Sequence, residues 1–190
     1  MKMYIGYSIG DFDFDGKADF VMSAIIVRSN EKIDTFYKFI ENEIDKLNIS
    51  QNKKNEIKTT LSFNSLEENS KKIITTIFKE NVKKRFRGIK YVSLKKEFTK
   101  ENFNEIMFDS LIALYNNSYD ILDIYVYFPN EIEYSLFEEK FTKSNFVNLN
   151  QVIKNYSKGN KIASTLSFCL RKDQSGSYLK ENKVSLPLKV

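Results

Sequence analysis

The 190-residue sequence predicts an α/β fold: one domain built on a mixed β-sheet, flanked by helices and opening with a β-hairpin. Three observations point there. Two β-forming segments lead the chain, strongly amphipathic helical segments follow, and strand and helix patterns alternate in the order β-β-α-(β)-α-β-α-β-α-α. Residues 1–190 read as a single domain, with 173–190, which carries QSGS and Pro187, as a loop and loose C-terminal tail.

MYIGYSI (3–9) alternates and is rich in β-formers, and FVMSAIIVR (20–28) is a second apolar run. The polar, glycine-bounded stretch between them predicts an antiparallel hairpin with a long acidic tip. Over 31–47, Ile33, Phe36, Phe39, Ile40, Ile44 and Leu47 recur at spacings of three and four, which predicts a helix capped by Asn30. EIKTTLSF (56–63) reads as a short strand. A helix over about 66–82 is opened by Ser65, with Glu68 three residues on at capping-box spacing. GIKYVSLKKE (88–97) alternates as a strand, and 99–117 forms a helix with Thr99 and Asn102 at its start. ILDIYVYFP (121–129) is a strand stopped by Pro129, and 133–141 is a short helix. Residues 145–155 suggest a weak strand leading into a helix start. KIASTLSFCLRK (161–172) fits helix or strand by periodicity alone.

Composition removes several functions. The apolar fraction of 42% suffices for a core, yet no apolar run approaches the roughly 20 residues that cross a bilayer. The N-terminal segment turns polar and acidic too early for a secretion signal. With Cys169 as its single cysteine the chain makes no internal disulfide, so a reducing, cytoplasmic setting is expected. The complete lack of histidine excludes a Ser-His-Asp triad, a Cys-His dyad and imidazole metal ligands. Catalysis would have to rest on carboxylates, Lys, Tyr, Ser or Cys. The net charge of +5 permits a nucleic-acid or acidic partner without requiring one.

Two local patterns carry chemistry. Asp11-Phe12-Asp13-Phe14-Asp15-Gly16-Lys17-Ala18-Asp19 has the D-x-D-x-D-G spacing of calcium loops, in which alternate carboxylates converge on one cation and glycine permits the turn. On that reading Asp11, Asp13, Asp15 and Asp19 give side-chain oxygens, and Lys17 its carbonyl, to one calcium or magnesium ion. Met22 stands where the bidentate glutamate of an EF-hand would be. The alternative is a solvated acidic tip whose repulsion discourages edge pairing. The second pattern is basic: Lys83, Lys84, Arg85, Arg87 and Lys90, interleaved with Phe86 and Tyr91. It suits phosphate contact with stacking, or simply a solvated helix end whose cations answer the helix dipole. Cys169, inside an apolar run, reads as an inert buried thiol.

The hairpin-first order, with Ile5-Gly6-Tyr7-Ser8-Ile9-Gly10-Asp11 at its opening, Glu56-Ile57-Lys58 after the first helix and Ile162-Ala163-Ser164 leading Leu166, Phe168, Leu170 and Arg171 near its close, resembles a ribonuclease-H-like family of bacterial and phage proteins of unknown function. That family opens with Tyr-Ile-Asp-Glu-Ser-Gly-Asp and closes with a Leu-Ala-Asp helix followed by basic residues. Set against it, Tyr7 stands at the first acidic position and Ser164 at the last, Asp123 lies too early in its strand, and Glu56 alone keeps its acid. Hydrolysis by two metal ions needs three or four carboxylates around cations about 4 Å apart. The resemblance therefore implies a catalytically degenerate scaffold that acts by binding a protein or nucleoprotein target, as an inhibitor or accessory factor in host–phage conflict. The enzymatic alternative is a metal-dependent nuclease with a site rebuilt from Glu56, Asp123 and the acids of 11–19. A further alternative is a calcium-stabilised interaction module.

Overall fold

The computed structural model describes residues 1–118, 120–127, 139, 151–154, 156–173 and 175–186. The chain runs β1 (Lys2–Ile9), β2 (Ala18–Val27), α1 (Glu31–Asp45), α2 (Gln51–Thr60), α3 (Glu68–Arg85), β3 (Gly88–Phe98), α4 (Phe103–Asn116), β4 (Asp123–Val126), β5 (Gln151–Lys154) and α5 (Lys158–Arg171), with a 3-10 turn at Lys180–Asn182. The sheet has the order β3-β2-β1-β4-β5. β2 is antiparallel to both β1 and β3, while β4 is parallel to β1 and β5 to β4. The predicted α/β class and leading hairpin are what the chain forms. Among the described residues no helix is long and apolar enough to cross a membrane.

Strand alternation sorts the core into two layers. Tyr4, Val21, Ile25, Ile89 and Tyr91 face α1, α2, α3 and α5, in a cluster that includes Phe36, Phe63 and Phe78. Met3, Ile5, Phe20, Met22 and Val92 face the other way, toward α4 and its Met107, Leu111 and Leu114. β2 is covered on both faces, which explains why its sequence is a nearly continuous apolar run rather than an alternating one.

Two glycines let α5 lie directly on β1. A Cβ on Gly6 would stand 2.0 Å from the Ser164 backbone nitrogen, and one on Gly159 would stand 2.3 Å from the Tyr4 ring. Buried polar groups then fix the helix in register. Asn160 Nδ2 donates to the carbonyls of Ile5 and Tyr125, both at 2.8 Å, so one amide ties β1 to β4. Ser23 Oγ donates to the Ala163 carbonyl at 2.8 Å, and Ser167 Oγ lies 2.9 Å from both the Gly6 carbonyl and Ser23 Oγ.

Several local expectations change. Residues 56–60 are helical, not extended: Ser50 caps α2 by accepting from the Lys53 N–H, Ile57 is buried, and Leu61 in the left-handed region (φ 53°) ends the helix. Only the short 61–63 stretch leaves it. α3 begins at Glu68 with Glu67, not Ser65, at the N-cap position and no side-chain cap; the Ser65 hydroxyl donates to Glu56 Oε1 at 3.4 Å. Asn30 precedes α1 but does not cap it; its Oδ1 accepts from Tyr4 Oη at 2.7 Å and Lys2 Nζ at 3.2 Å. The ambiguous 161–172 segment is helix α5, opened at Ser157 by a reciprocal capping box with Asn160. The strand expected over 121–129 is observed as Asp123–Val126, and Gln151–Lys154 is the weak strand expected in 145–155. The helix expected over 133–141 falls almost wholly outside the described residues. After α5 the chain returns to β3, where the Val184 N–H donates to the Tyr91 carbonyl at 2.7 Å and Leu179 and Val184 are buried.

Candidate functional site

In open α/β sheets ligands settle outside the carboxyl ends of the parallel strands. Here that end of β1 opens into a crevice of about 190 Å³, closed on one side by the α2–α3 connection and on the other by α5. Tyr7 and Ser8 come from β1, Thr60 and Ser62 from the end of α2 and beyond, Tyr156 from just after β5, and Ser164 from α5. The walls are held by backbone contacts: Thr165 Oγ1 is 2.6 Å from the Leu61 carbonyl, which fastens the α2–α3 connection onto α5. Ser8 Oγ accepts from Arg171 Nε at 3.0 Å.

Among the described residues the lining is hydroxyls, one asparagine amide and apolar groups, with no carboxylate. Tyr156 stacks at a tilt on Tyr127, with ring centroids 4.7 Å apart, and Lys161 Nζ sits 5.6 Å from its ring centre. Burial raises the Tyr156 phenol above its ordinary pKa, the Tyr127 charge adds to this, and a hydrogen bond with Ser164 works weakly against it. A phenol held protonated is a hydrogen-bond donor, not a base at neutral pH. The crevice thus offers neutral donors and acceptors.

The positions singled out in the sequence fall into separate neighbourhoods. Tyr7 and Ser164 meet at the crevice, but it is Gly6 whose backbone touches Ser164; the Tyr7 ring packs edge-on against Phe103, 6.4 Å away, on the α4 side. Glu56 lies on the exposed side of α2, paired with Lys53 at 2.9 Å. The Lys53 hydrogen bond chiefly holds its carboxyl below the usual range. Asp123 opens β4 in register with Lys2, six residues before Ser8, hence roughly 20 Å from the crevice at the rise of a strand. Glu56, Asp123 and the acids of the hairpin are therefore not gathered into one site.

The acidic tip is organised by its own hydrogen bonds. Asp13 Oδ1 accepts the N–H groups of Lys17 at 2.8 Å and Asp15 at 3.1 Å, and Gly16 takes a positive φ of 69°. Lys96 joins the tip to β3: its Nζ is 3.2 Å from Asp13 Oδ2, and its N–H donates to Asp19 Oδ1 at 3.1 Å. Two of the four aspartates that a calcium loop would use, Asp13 and Asp19, are thus engaged by protein donors. Among the described residues no group of three acidic, cysteine or histidine side chains is placed to hold a metal ion. The crevice donors, neutral and few, likewise do not fit a pair of divalent cations.

The basic stretch is split by the fold. Lys83 lies 3.9 Å from Glu181, Arg85 stacks on Phe39 at 4.6 Å, and Lys90 alternates to the opposite face of β3 from Tyr91. Phe86 and Tyr91 are both buried, so neither ring presents a face to a nucleic-acid base. Lys84 and Arg87 are exposed. Sequence reasoning did not single out Tyr156 of the crevice, because an isolated tyrosine carries no spacing signal. No family model matches the chain, and no curated protein matches it.

Proposed function

We propose that the chain is a catalytically degenerate ribonuclease-H-like protein, one that acts by binding a protein or nucleoprotein target as an inhibitor or accessory factor in host–phage conflict. The observation that carries this reading is the crevice at the carboxyl end of β1. The positions matched to the family's first and last acids are a tyrosine and a serine that both border one crevice, the Tyr7 ring itself packing on Phe103, and among the described residues no carboxylate lines it. The architecture supports it too: a hairpin-first mixed sheet with the closing helix packed on β1 is what the resemblance implies. With neutral lining and no general base, the crevice suits recognition by hydrogen bonding and aromatic contact.

The purified chain is expected to leave RNA, DNA and RNA–DNA hybrid intact in magnesium or manganese. Those ions are expected not to raise its melting temperature, since a native-state ligand must stabilise. Turnover abolished by Glu56→Gln would overturn the reading. Expressed in a bacterial host, the chain is expected to change phage plating efficiency, and Glu56→Gln is expected to leave that change intact. Loss of the effect in Glu56→Gln would point to chemistry rather than binding.

A further inference from the structure

The far end of the sheet, where β2 ends and β3 begins, holds a second and larger cavity of about 430 Å³. Four cations line it: Arg28 just after β2, Lys32 in the first turn of α1, Arg85 at the end of α3 and Arg87 just before β3. No carboxylate lines it among the described residues. Among the described residues none of the four makes an ion pair with an acid; Arg85 stacks on Phe39 instead. The acids of the first turn of α1, Glu31 and Asp34, are not among its lining residues, and Asp34 is paired with Lys158 at 2.9 Å.

The helix dipole accounts for only one of these cations. Arg85 sits at the C-terminus of α3, where positive charge is favourable. Lys32 sits at the N-terminus of α1, where it is not, and Arg28 belongs to no helix. Four like charges around one cavity repel one another, and an anion relieves that repulsion. Gly88 lets the start of β3 pair closely with the end of β2 beside the cavity, since a Cβ there would stand 2.7 Å from the Ile26 carbonyl oxygen.

We propose that the cavity framed by Arg28, Lys32, Arg85 and Arg87 binds a compact polyphosphate, of the class of nucleoside di- and triphosphates. The shape favours this over a nucleic-acid strand. The cations ring a bounded cavity within the size range of small-molecule sites, and the stretch that could have tracked a strand is broken, with Lys83 near Glu181, Lys90 on the opposite sheet face and both aromatic rings buried. Three guanidinium groups can each present paired donors to phosphate oxygens. The site lies at the opposite end of the sheet from the crevice and does not depend on the ribonuclease-H-like reading.

Calorimetric titration of the full chain with inorganic tripolyphosphate and with ATP tests this. Saturable binding is expected, weakened about tenfold by Arg28→Ala and by Arg87→Ala, the size of one lost charge-assisted hydrogen bond. Lys72→Ala, which removes the same charge from the exposed start of α3, is expected to leave it nearly unchanged. Both arginines are exposed, and unaltered melting temperatures of their variants confirm that the fold is intact. Tighter binding of ATP than of tripolyphosphate assigns the site to a nucleotide, and equal binding to the phosphate chain alone; either supports the proposal. It is overturned by no saturable heat at millimolar ligand, by equal weakening in Lys72→Ala and the arginine variants, or by a 5′-hydroxyl oligonucleotide that competes more tightly than tripolyphosphate.

Discussion

The two ends of the sheet differ in charge and in how they are held. At the carboxyl end of β1 a crevice of about 190 Å³ is lined by hydroxyls and braced by buried polar groups, Asn160, Thr165, Ser23 and Ser167. At the other end a cavity of about 430 Å³ is lined by four exposed cations, with no acid among the described lining residues. The first is neutral, and the polar groups that brace it are bonded within the protein. The second leaves its charges unsatisfied by the protein. In a chain with a net charge of only +5, that concentration places the capacity for binding anions at the end opposite the one where the resemblance would seek acids and metal ions.

The largest expected effect breaks the neutral end. In Gly6→Ala the new Cβ would press on the backbone of α5 at Ser164, which no rotamer change can relieve. The loss should be about 3 kcal/mol, or failure to fold, read from the denaturant midpoint. Asn160→Ala comes next. It leaves the Ile5 and Tyr125 carbonyls without their shared donor and removes the acceptor for the Ser157 N–H. A cost of roughly 2–4 kcal/mol is expected. Asn160→Asp should cost more than Asn160→Ala at neutral pH, because it would face a carboxylate toward two carbonyl oxygens; equal cost would mean that side-chain volume, not the donor, is what holds β1 to β4.

Much of this was legible in the sequence. The hairpin, α1 and β3 follow from periodicity, because one buried face leaves a strict two- or three-to-four-residue pattern. α2 did not: with Ile57 as its one buried residue it has no apolar stripe, and its cap at Ser50 and left-handed stop at Leu61 are local features that hydrophobicity does not register. The site was legible only by type. Arg85 and Arg87 belong to a visible basic run, but Arg28 and Lys32 reach the same cavity from more than fifty residues away, through the β2–β3 pairing. The aspartates of the tip looked like ligands because spacing shows that oxygens are near; it does not show that Asp13 and Asp19 are already engaged by Lys17 and Lys96.

A pH series sharpens the comparison further, since the buried phenols lie on the α1 side of the sheet. Burial chiefly raises both Tyr4 and Tyr37 from an ordinary 10.0 to about 12, and Cys169 from 9.0 to about 12. A raised pKa means that the folded chain keeps protons that the unfolded chain releases. Stability is therefore intact below about pH 9 and falls as the pH climbs toward 12. The denaturant midpoint across this range checks it. Tyr37→Phe should flatten part of the decline, though it also forfeits the hydrogen bond to the Lys58 carbonyl. By the same burial Cys169 should resist alkylation in the native state and react on unfolding.

The smallest effect concerns the acidic tip, which stands at the same end of β1 as the neutral crevice. The Asp13 carboxyl is held below its usual pKa first by the Lys17 N–H and only then by Lys96. Lys96→Ala should therefore raise the Asp13 pKa only in part, and leave the melting temperature within measurement error, as for most exposed ion pairs. A depressed carboxylate pKa favours the fold above its unfolded value and loses that contribution as the pH falls through the folded one, so any cost of the variant should vanish in acid. The decisive contrast is with calcium. If the Lys96 ammonium is the counter-ion of this loop, millimolar calcium should leave the natural chain's melting temperature unchanged and raise that of Lys96→Ala, because only the variant frees Asp13 Oδ2. A rise in the natural chain instead would mean that the aspartates gather a cation despite Lys96, and that this end of the sheet is not neutral after all.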